Sequence, residues 1–299
     1  MKKLFLPAVA LGLLLTMSCG EPTSQRQEDS TTKEDSLKTI AAAPQLEQRD
    51  KAYYPIPSPE QMFRFISDAG IEYAKPLMND PAQADEYVNP SEKALNFGVY
   101  TADLAYAAAY QDIKSTIELY KVVKRLGAEM NIAEMMTSEM MEKMQANMQQ
   151  PDSLAVIAGD AYYQAVDYLE ANQQNGKLAL MSLGGWIESL YITLNAMKEV
   201  NADSPTAQRI ADQKITFGNL YTYLRKNENE VGVQEAIENV KDIRSVFASL
   251  VEEKTAASST SKEGNKMVFG KGSKININEA QFAAIKKAVN TYRDKIISN

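Results

Sequence analysis

The sequence contains no histidine, and this absence excludes more chemistry than any other feature of the 299-residue chain. Without imidazole there is no Ser-His-Asp or Cys-His catalytic pair and no histidine ligand for zinc. The Glu-x-x-His motif that builds di-iron bundles is excluded as well. We therefore predict no metal site and no cofactor for this chain.

Cysteine is almost absent as well, because Cys19 is the only one. The chain cannot form an internal disulfide, so its fold must depend on its hydrophobic core alone. Basic stretches are missing too, since the formal net charge is -7 at pH 7 and no stripe of lysine or arginine is present. A nucleic acid is therefore not predicted as a partner.

What the N-terminus does contain is a short secretion signal. Lys2 and Lys3 are followed by an apolar run from Leu4 to Leu15, shorter than a typical membrane-spanning helix. The next four residues end at Cys19 and resemble the lipobox of bacterial lipoproteins, although Met17 stands where a small residue is commoner. The resemblance implies that the signal peptide, residues 1–18, is removed and that Cys19 is acylated, for example with palmitate. The alternative is an ordinary secretory signal with an incidental cysteine.

The residues after Cys19 predict where the protein goes and how far its anchor reaches. By resemblance to Gram-negative sorting, Gly20 in place of an aspartate favours the outer membrane, with the periplasmic or surface side left open. Residues 19–52 are polar and low in aromatics, so they cannot bury enough apolar surface to fold. We therefore predict a disordered tether. As a flexible coil, about thirty residues would reach roughly 30 Å.

Residues 53–299 are predicted to form a single all-α domain, a multi-helix bundle of about seven to nine helices. Apolar residues recur along this region with helical spacing. N-cap signals precede individual runs, among them Asn89-Pro90, Ser204-Pro205 and Asn278 followed three residues later by Gln281.

The C-terminal part of this domain is less regular. Residues 233–251 are predicted to be one helix, and residues 255–266 are predicted to be a mobile segment because they are rich in small polar residues. Residues 267–269 and 275–277 flank a Gly-Lys-Gly-Ser stretch and form either a small β-hairpin or a loop.

The most unusual helical stretch runs from Leu178 to Val200 and contains the only tryptophan, Trp186. Each glycine in a helix costs about 1 kcal/mol relative to alanine, so Gly184 and Gly185 predict a close approach of another helix or of a ligand. Glu188 follows on the same helical face, and Tyr191 lies three residues further on. Glu188 is therefore a satisfied carboxylate at a tight helix crossing, a residue that lines a ligand cavity, or a residue that faces water.

An acid followed three residues later by a tyrosine recurs in three predicted helices. The pairs are Asp103 and Tyr106, Asp160 and Tyr163, and Glu188 and Tyr191. If the acids converge, they cannot all stay charged and unpaired. They would then hold a cation, share protons with one another, or pair with lysine or arginine. Acid–base catalysis of the glycosidase type is disfavoured, because such carboxylates usually lie on loops in open clefts.

Two stretches, residues 98–106 (GVYTADLAY) and 184–191 (GGWIESLY), add to the lipobox and the tether. The combination resembles uncharacterised all-helical lipoproteins of the Bacteroidota. The resemblance implies location and fold, and it carries no catalytic role to transfer.

Two functions are compatible with these observations. The first is a non-enzymatic, outer-membrane-anchored lipoprotein that contacts an envelope protein as a scaffold or accessory subunit. The alternative is a lipoprotein that binds a small ligand or a cation at a buried acidic and tyrosine-rich centre around Asp103 and Glu188. Closed pockets of this kind are typical of ligand-binding proteins.

Overall fold

The computed structural model describes residues 59–132, 138–147, 164–197, 201–202, 204–254, 262–263, 266–267 and 273–298, with the single residues 150, 153 and 157. These residues belong to one compact unit that spans Ala52–Asn299. The prediction of an all-α bundle with a small antiparallel β-sheet is confirmed.

Ten α-helices lie in the described ranges. They are α1 (Pro59–Asp68), α2 (Pro90–Ala109), α3 (Ile113–Glu129), α4 (Ser138–Ala146), α5 (164–171), α6 (Asn175–Ala196), α7 (Pro205–Lys226), α8 (Val233–Asn239), α9 (Lys241–Ser249) and α10 (Glu279–Ile297). Two short 3-10 turns, Lys75–Leu77 and Pro81–Asp85, lie between α1 and α2. Among the described helices, none is both long and apolar enough to cross a membrane.

Three of the helices begin at the N-cap residues that the sequence predicts. The Asn89 side chain accepts a hydrogen bond from the N-terminal turn of α2 and forms a capping box with Glu92. Ser204 caps α7, and Asn278 forms a second capping box at the start of α10. Each cap satisfies backbone N–H groups that lack a partner inside the helix, which is worth about 1 kcal/mol.

The core is organised around the crossing of α2 and α6. Every residue of α6 from Leu178 to Leu190 is buried, so this helix is surrounded by the rest of the bundle. A Cβ atom added to Gly184 would lie 1.9 Å from the carbonyl oxygen of Leu95, and one added to Gly98 would lie 2.0 Å from that of Met181. The two backbones are therefore in direct contact, and only glycine fits at these positions.

One run predicted as a single helix, residues 233–251, differs in the structure. It forms α8 and α9, which meet at Val240, where the backbone leaves helical geometry (φ -89°, ψ 6°). Its last residue, Val251, begins strand β1 (Val251–Lys254) instead.

The β-sheet also pairs differently from the predicted hairpin. Strand β4 (Ser273–Asn276) contains part of the predicted second strand, but its antiparallel partner is β1, with Val251 opposite Asn276. Along the chain between β1 and β4, a second two-stranded antiparallel sheet is formed by β2 (Lys262–Glu263) and β3 (Lys266–Met267). The segment predicted to be mobile, residues 255–266, lies outside the described residues except for β2 and the first residue of β3.

Residues 71–80, which we call the strap, cross the surface of α2 between α1 and the second 3-10 turn. The strap runs antiparallel to α2, because its first residues are bonded to the C-terminal part of that helix and its last residues to the middle, and it contains the first 3-10 turn, Lys75–Leu77. Its side chains are exposed or half-buried, except for Asn79, which is buried. It covers the place where α2, α6 and α10 meet, and this junction contains the candidate site.

Candidate functional site

A buried ion pair joins α6 to α10 at the centre of the bundle. Arg293 donates from Nε to Oε2 of Glu188 and from Nη2 to Oε1, both at 3.0 Å. The Glu188 side chain is 0% exposed and that of Arg293 is 7% exposed. This two-bond geometry is the strongest that an arginine and a carboxylate can form, and it uses both oxygens of Glu188.

Two further contacts fix the guanidinium in place. Its carbon lies 4.3 Å from the centre of the Tyr191 ring, a cation–π arrangement. Nη2 also lies 3.4 Å from the carbonyl oxygen of Leu77 in the strap. Arg293 therefore connects α10 to α6 and to the strap at once.

Asp103 of α2 is the second carboxyl group at this junction, and it is also 0% exposed. Its Oδ2 accepts a hydrogen bond of 3.0 Å from the backbone N–H of Asn79 in the strap. The other oxygen, Oδ1, is buried and receives no hydrogen bond from a donor group. Asp103 and Glu188 are close enough to shift each other's pKa values, so the two acids converge.

The electrostatics differ between the two carboxyl groups. Burial raises the pKa of Asp103 well above its usual value, and the charge of Glu188 raises it further, against the opposing effects of Asn79 and Arg293. Burial also raises the pKa of Glu188 above its usual value, although the hydrogen bonds and charge of Arg293 and the contact with Asp103 act in the opposite direction. One cation thus faces two acids, and its two hydrogen bonds to a carboxylate both go to Glu188.

The tyrosines of α2 continue this pattern along the strap. Tyr100 donates to the carbonyl oxygen of Asp80 at 2.7 Å, and Tyr110 donates to that of Ile71 at 2.6 Å. The hydroxyl of Tyr106 accepts the backbone N–H of Ala74 at 2.8 Å. Together with Asp103, these side chains form one stripe along about 15 Å of α2 and bind the backbone of the strap.

A second, more exposed group of contacts holds the same strap at α3. The Tyr73 hydroxyl donates to Oδ2 of Asp112 at 2.9 Å, and Lys75 donates to Ser115 at 2.7 Å. Burial raises the pKa of Asp112, but the hydrogen bonds from Ser115 and Tyr73 outweigh this effect and lower it to about 2. Asp112 is therefore charged at any physiological pH, and it also caps the N-terminus of α3.

The predicted site residues fall into separate groups in the structure. Asp103, Glu188 and Tyr191 meet at the junction with Arg293. Tyr106 lies along the strap, in an aromatic cluster with Phe63, Tyr73 and Tyr110. Gly184 and Gly185 lie at the α2–α6 crossing, where the position of a Cβ on Gly98 would be 2.6 Å from the Gly185 nitrogen. A helix therefore makes the close approach that the glycines predicted.

Trp186 faces away from the acidic junction. Its indole N–H donates to Gln213 of α7 at 3.0 Å, and its ring stacks on Phe217 with 5.0 Å between ring centres. Two positions of a helix that are two residues apart lie on opposite faces, which separates Trp186 from Glu188. Its contacts are those of a core residue.

Three predicted residues lie outside the described part of the chain: Cys19, Asp160 and Tyr163. The structure therefore places only two of the three predicted acids. In the ranges that it does describe, no group of three or more acidic, cysteine or histidine residues is arranged to hold a metal ion.

Sequence reasoning missed Arg293, Asn79 and the strap. Arg293 carried a signal, because it lies four residues after Val289 and three before Ile296, on the apolar stripe of α10. A charged residue on such a stripe needs a buried partner, and Asp103 and Glu188 were two predicted buried acids that lacked a cation. The strap carried no comparable signal, because its contacts are made by the backbone.

Comparison of the chain with protein-family models, with curated proteins and with solved structures finds no significant match.

Proposed function

We propose that this protein is an outer-membrane lipoprotein, anchored through acylated Cys19, whose helical body acts by contact with another envelope protein and not by catalysis. The observation that carries the second half of this proposal is the Glu188–Arg293 ion pair. Both oxygens of Glu188 are bound by Arg293 at 3.0 Å, so the acidic centre is occupied by the protein itself.

The same geometry weakens the alternative of a bound ligand or cation. A cation that used Glu188 would have to displace an arginine that makes two hydrogen bonds and a ring contact. Breaking such a buried pair costs about 3–5 kcal/mol before any new bond forms. The contacts of Asp103, Tyr100, Tyr106 and Tyr110 are likewise directed to the strap, so these side chains act as structural clamps.

The anchor is tested on the full chain expressed in a Gram-negative host with an alkyne analogue of palmitate. We expect labelling of the wild type and loss of both label and outer-membrane fractionation in Cys19→Ser. Because Cys19 is the only cysteine, a thiol-reactive reagent offers an independent readout. The denatured mature protein should not react, and a reactive thiol in it would contradict acylation.

Protein contact is tested by placing a photo-crosslinking amino acid at exposed apolar positions. Val88 and Val231 are suitable, because their exposures are 80% and 79% and both lie at the N-terminal end of α2, where Ser91 donates to the Val231 carbonyl. Ile66, which is 0% exposed, is the matched control. The proposal expects a discrete product with one envelope protein from an exposed position and none from Ile66.

The opposite outcome is also defined. The ligand alternative would replace the proposal if no exposed position cross-links while a small molecule or divalent cation raises the Tm of the wild type but not of Glu188→Gln. Ligand binding to the folded state raises stability in proportion to the logarithm of its concentration, so a titration separates it from a nonspecific effect.

A further inference from the structure

The junction contains two acids and one cation, and the oxygens of the two acids differ in their hydrogen bonds. Glu188 accepts two hydrogen bonds from Arg293 and so keeps its charge. Asp103 accepts one bond through Oδ2, while its buried Oδ1 has no donor directed at it. An ionised oxygen in that position would be desolvated and uncompensated. A protonated Oδ1 would instead be a donor, for which the neighbouring Glu188 carboxylate is an available acceptor.

We propose that Asp103 is neutral in the folded protein, donates from Oδ1 to Glu188, and thereby keeps the strap closed, so that ionisation of Asp103 opens the strap. The closed junction then contains one negative and one positive charge, and every oxygen of the two acids has a partner. Loss of the proton adds a second negative charge in a place where the Asp103 and Glu188 side chains are fully buried.

The strap is the element that moves away when Asp103 becomes charged. The other three elements are α2, α6 and α10, long helices that are fixed by core packing and by backbone contact at Gly98 and Gly184. The strap is mostly non-helical and half-exposed, and local opening occurs where few apolar contacts are lost. Moving it admits water to the carboxylates. Ionisation strengthens the one bond from Asn79 to Asp103, but a single bond does not compensate a second buried charge.

The other ionisable groups around Asp103 keep their charge state over the same pH range. Burial raises the pKa values of Tyr87, Tyr100 and Tyr191, so these phenols stay neutral. Burial lowers the pKa of Arg293, but its bonds to Glu188 outweigh this and raise it, so the guanidinium stays charged.

Two acidic neighbours complete this environment. Asp294, which follows Arg293 on α10, adds a negative charge that acts on Glu188. Asp112, the acid that binds the strap at Tyr73, has a pKa of about 2 and stays ionised.

The sign of the pH effect follows from the raised pKa of Asp103. The open strap exposes Asp103, which then titrates with the pKa of an ordinary aspartate, about 4. Between that value and the higher pKa of the closed form, the equilibrium constant for opening rises about tenfold per pH unit. Closure is therefore complete at acidic pH and is lost as the pH rises.

The test is amide hydrogen exchange of the full chain in detergent, from about pH 5 to about pH 9, with rates corrected for the intrinsic pH dependence of exchange. The reporters are the amides of Ala74 and Asn79, whose acceptors are Tyr106 and Asp103. We expect their opening constant to rise with pH in the wild type. In Asp103→Asn it should not change with pH, because the amide mimics the neutral acid as donor and acceptor.

A matched control and an independent readout complete the experiment. Asp80→Asn removes an exposed acid next to Asn79 and should keep the wild-type slope. Infrared spectra of wild-type protein with isotope-labelled aspartate should show the carbonyl band of a protonated acid at neutral pH, and this readout stands even if Asp103→Asn fails to fold. A wild-type strap whose opening does not depend on pH, or a spectrum with ionised aspartates only, would overturn the proposal.

Discussion

Removal of the ion pair between Glu188 and Arg293 should destabilise this fold strongly, because both side chains are buried. Glu188→Gln keeps the volume of the side chain but removes its charge and places an amide NH₂ against the guanidinium. Arg293 is then a buried cation without a carboxylate partner, since its side chain is only 7% exposed and its remaining acceptors, the new amide oxygen and the Leu77 carbonyl, are neutral. Breaking one partner of a buried pair costs about 3–5 kcal/mol. A domain has about 5–15 kcal/mol in total, so this change removes a large share of it.

A double-mutant cycle separates the pair from the general cost of altering the core. The cycle compares the wild type, Glu188→Gln, Arg293→Met and the double variant by urea unfolding of the full chain, with circular dichroism as the readout. Because Arg293→Met removes the cation that Glu188→Gln strands, the two losses should not add. We expect a coupling of about 2 kcal/mol, within the range of residues in direct contact.

The same helix offers a matched control on the surface. Lys295 and Glu235 form an ion pair at 3.3 Å, but their side chains are 56% and 71% exposed. The cycle of Glu235→Gln with Lys295→Met should give a coupling of less than about 1 kcal/mol, because water and salt screen exposed charges. If the buried cycle gives no more coupling than this exposed one, the ion pair does not hold α6 and α10 together.

Three further predictions concern the crossing and the strap. Gly184→Ala should lower the free energy of unfolding by about 3 kcal/mol or more, because its Cβ would overlap the backbone of α2. Gly218→Ala, where a Cβ would meet open space on α7, should raise it by up to about 1 kcal/mol. Thermal denaturation measures both changes. Asp112 contributes stability that is present above about pH 4 and is lost as the pH falls towards its folded pKa of about 2. Because the Asp112 side chain is 19% exposed and solvent still reaches it, this loss should be about 2 kcal/mol at most and absent in Asp112→Asn, with acid titration as the assay. Tyr100→Phe removes a hydrogen bond to the strap and should speed amide exchange in residues 71–80 at every pH, with a loss of about 1 kcal/mol in global stability; unchanged exchange would show that the bond does not hold the strap.

The helices could be predicted from the sequence because their determinants are local. Asn89, Ser204 and Asn278 start helices through hydrogen bonds to residues two or three positions away, and the apolar periodicity follows at once. The boundary at Val240 and the pairing of β1 with β4 were not predictable in this way. Residues 251 and 276 pair across a long connection, and the hydrophobic pattern of two four-residue strands does not specify such a partner.

The contacts of the polar centre are also long-range, so the local sequence did not predict them. The sequence identified Asp103 and Glu188 as residues out of place in apolar helices, but it did not show whether they meet. Their meeting depends on the crossing of α2 and α6, and that crossing depends on Gly98 and Gly184 together. Their cation lies 105 residues beyond Glu188, on a helix that sequence reasoning treated as apolar on one face.

The recurrence of an acid followed by a tyrosine therefore has a physical explanation that differs between its copies. In α2, Asp103 and Tyr106 lie on a stripe that binds the backbone of the strap, and Tyr100 and Tyr110 extend it in both directions. In α6, Glu188 and Tyr191 enclose one guanidinium, as acceptor and as ring surface. The same spacing thus serves two purposes, because residues three apart share a helical face whatever lies opposite that face. The pattern indicates a polar helix face that must be satisfied by another element, and the position of that element decides its role.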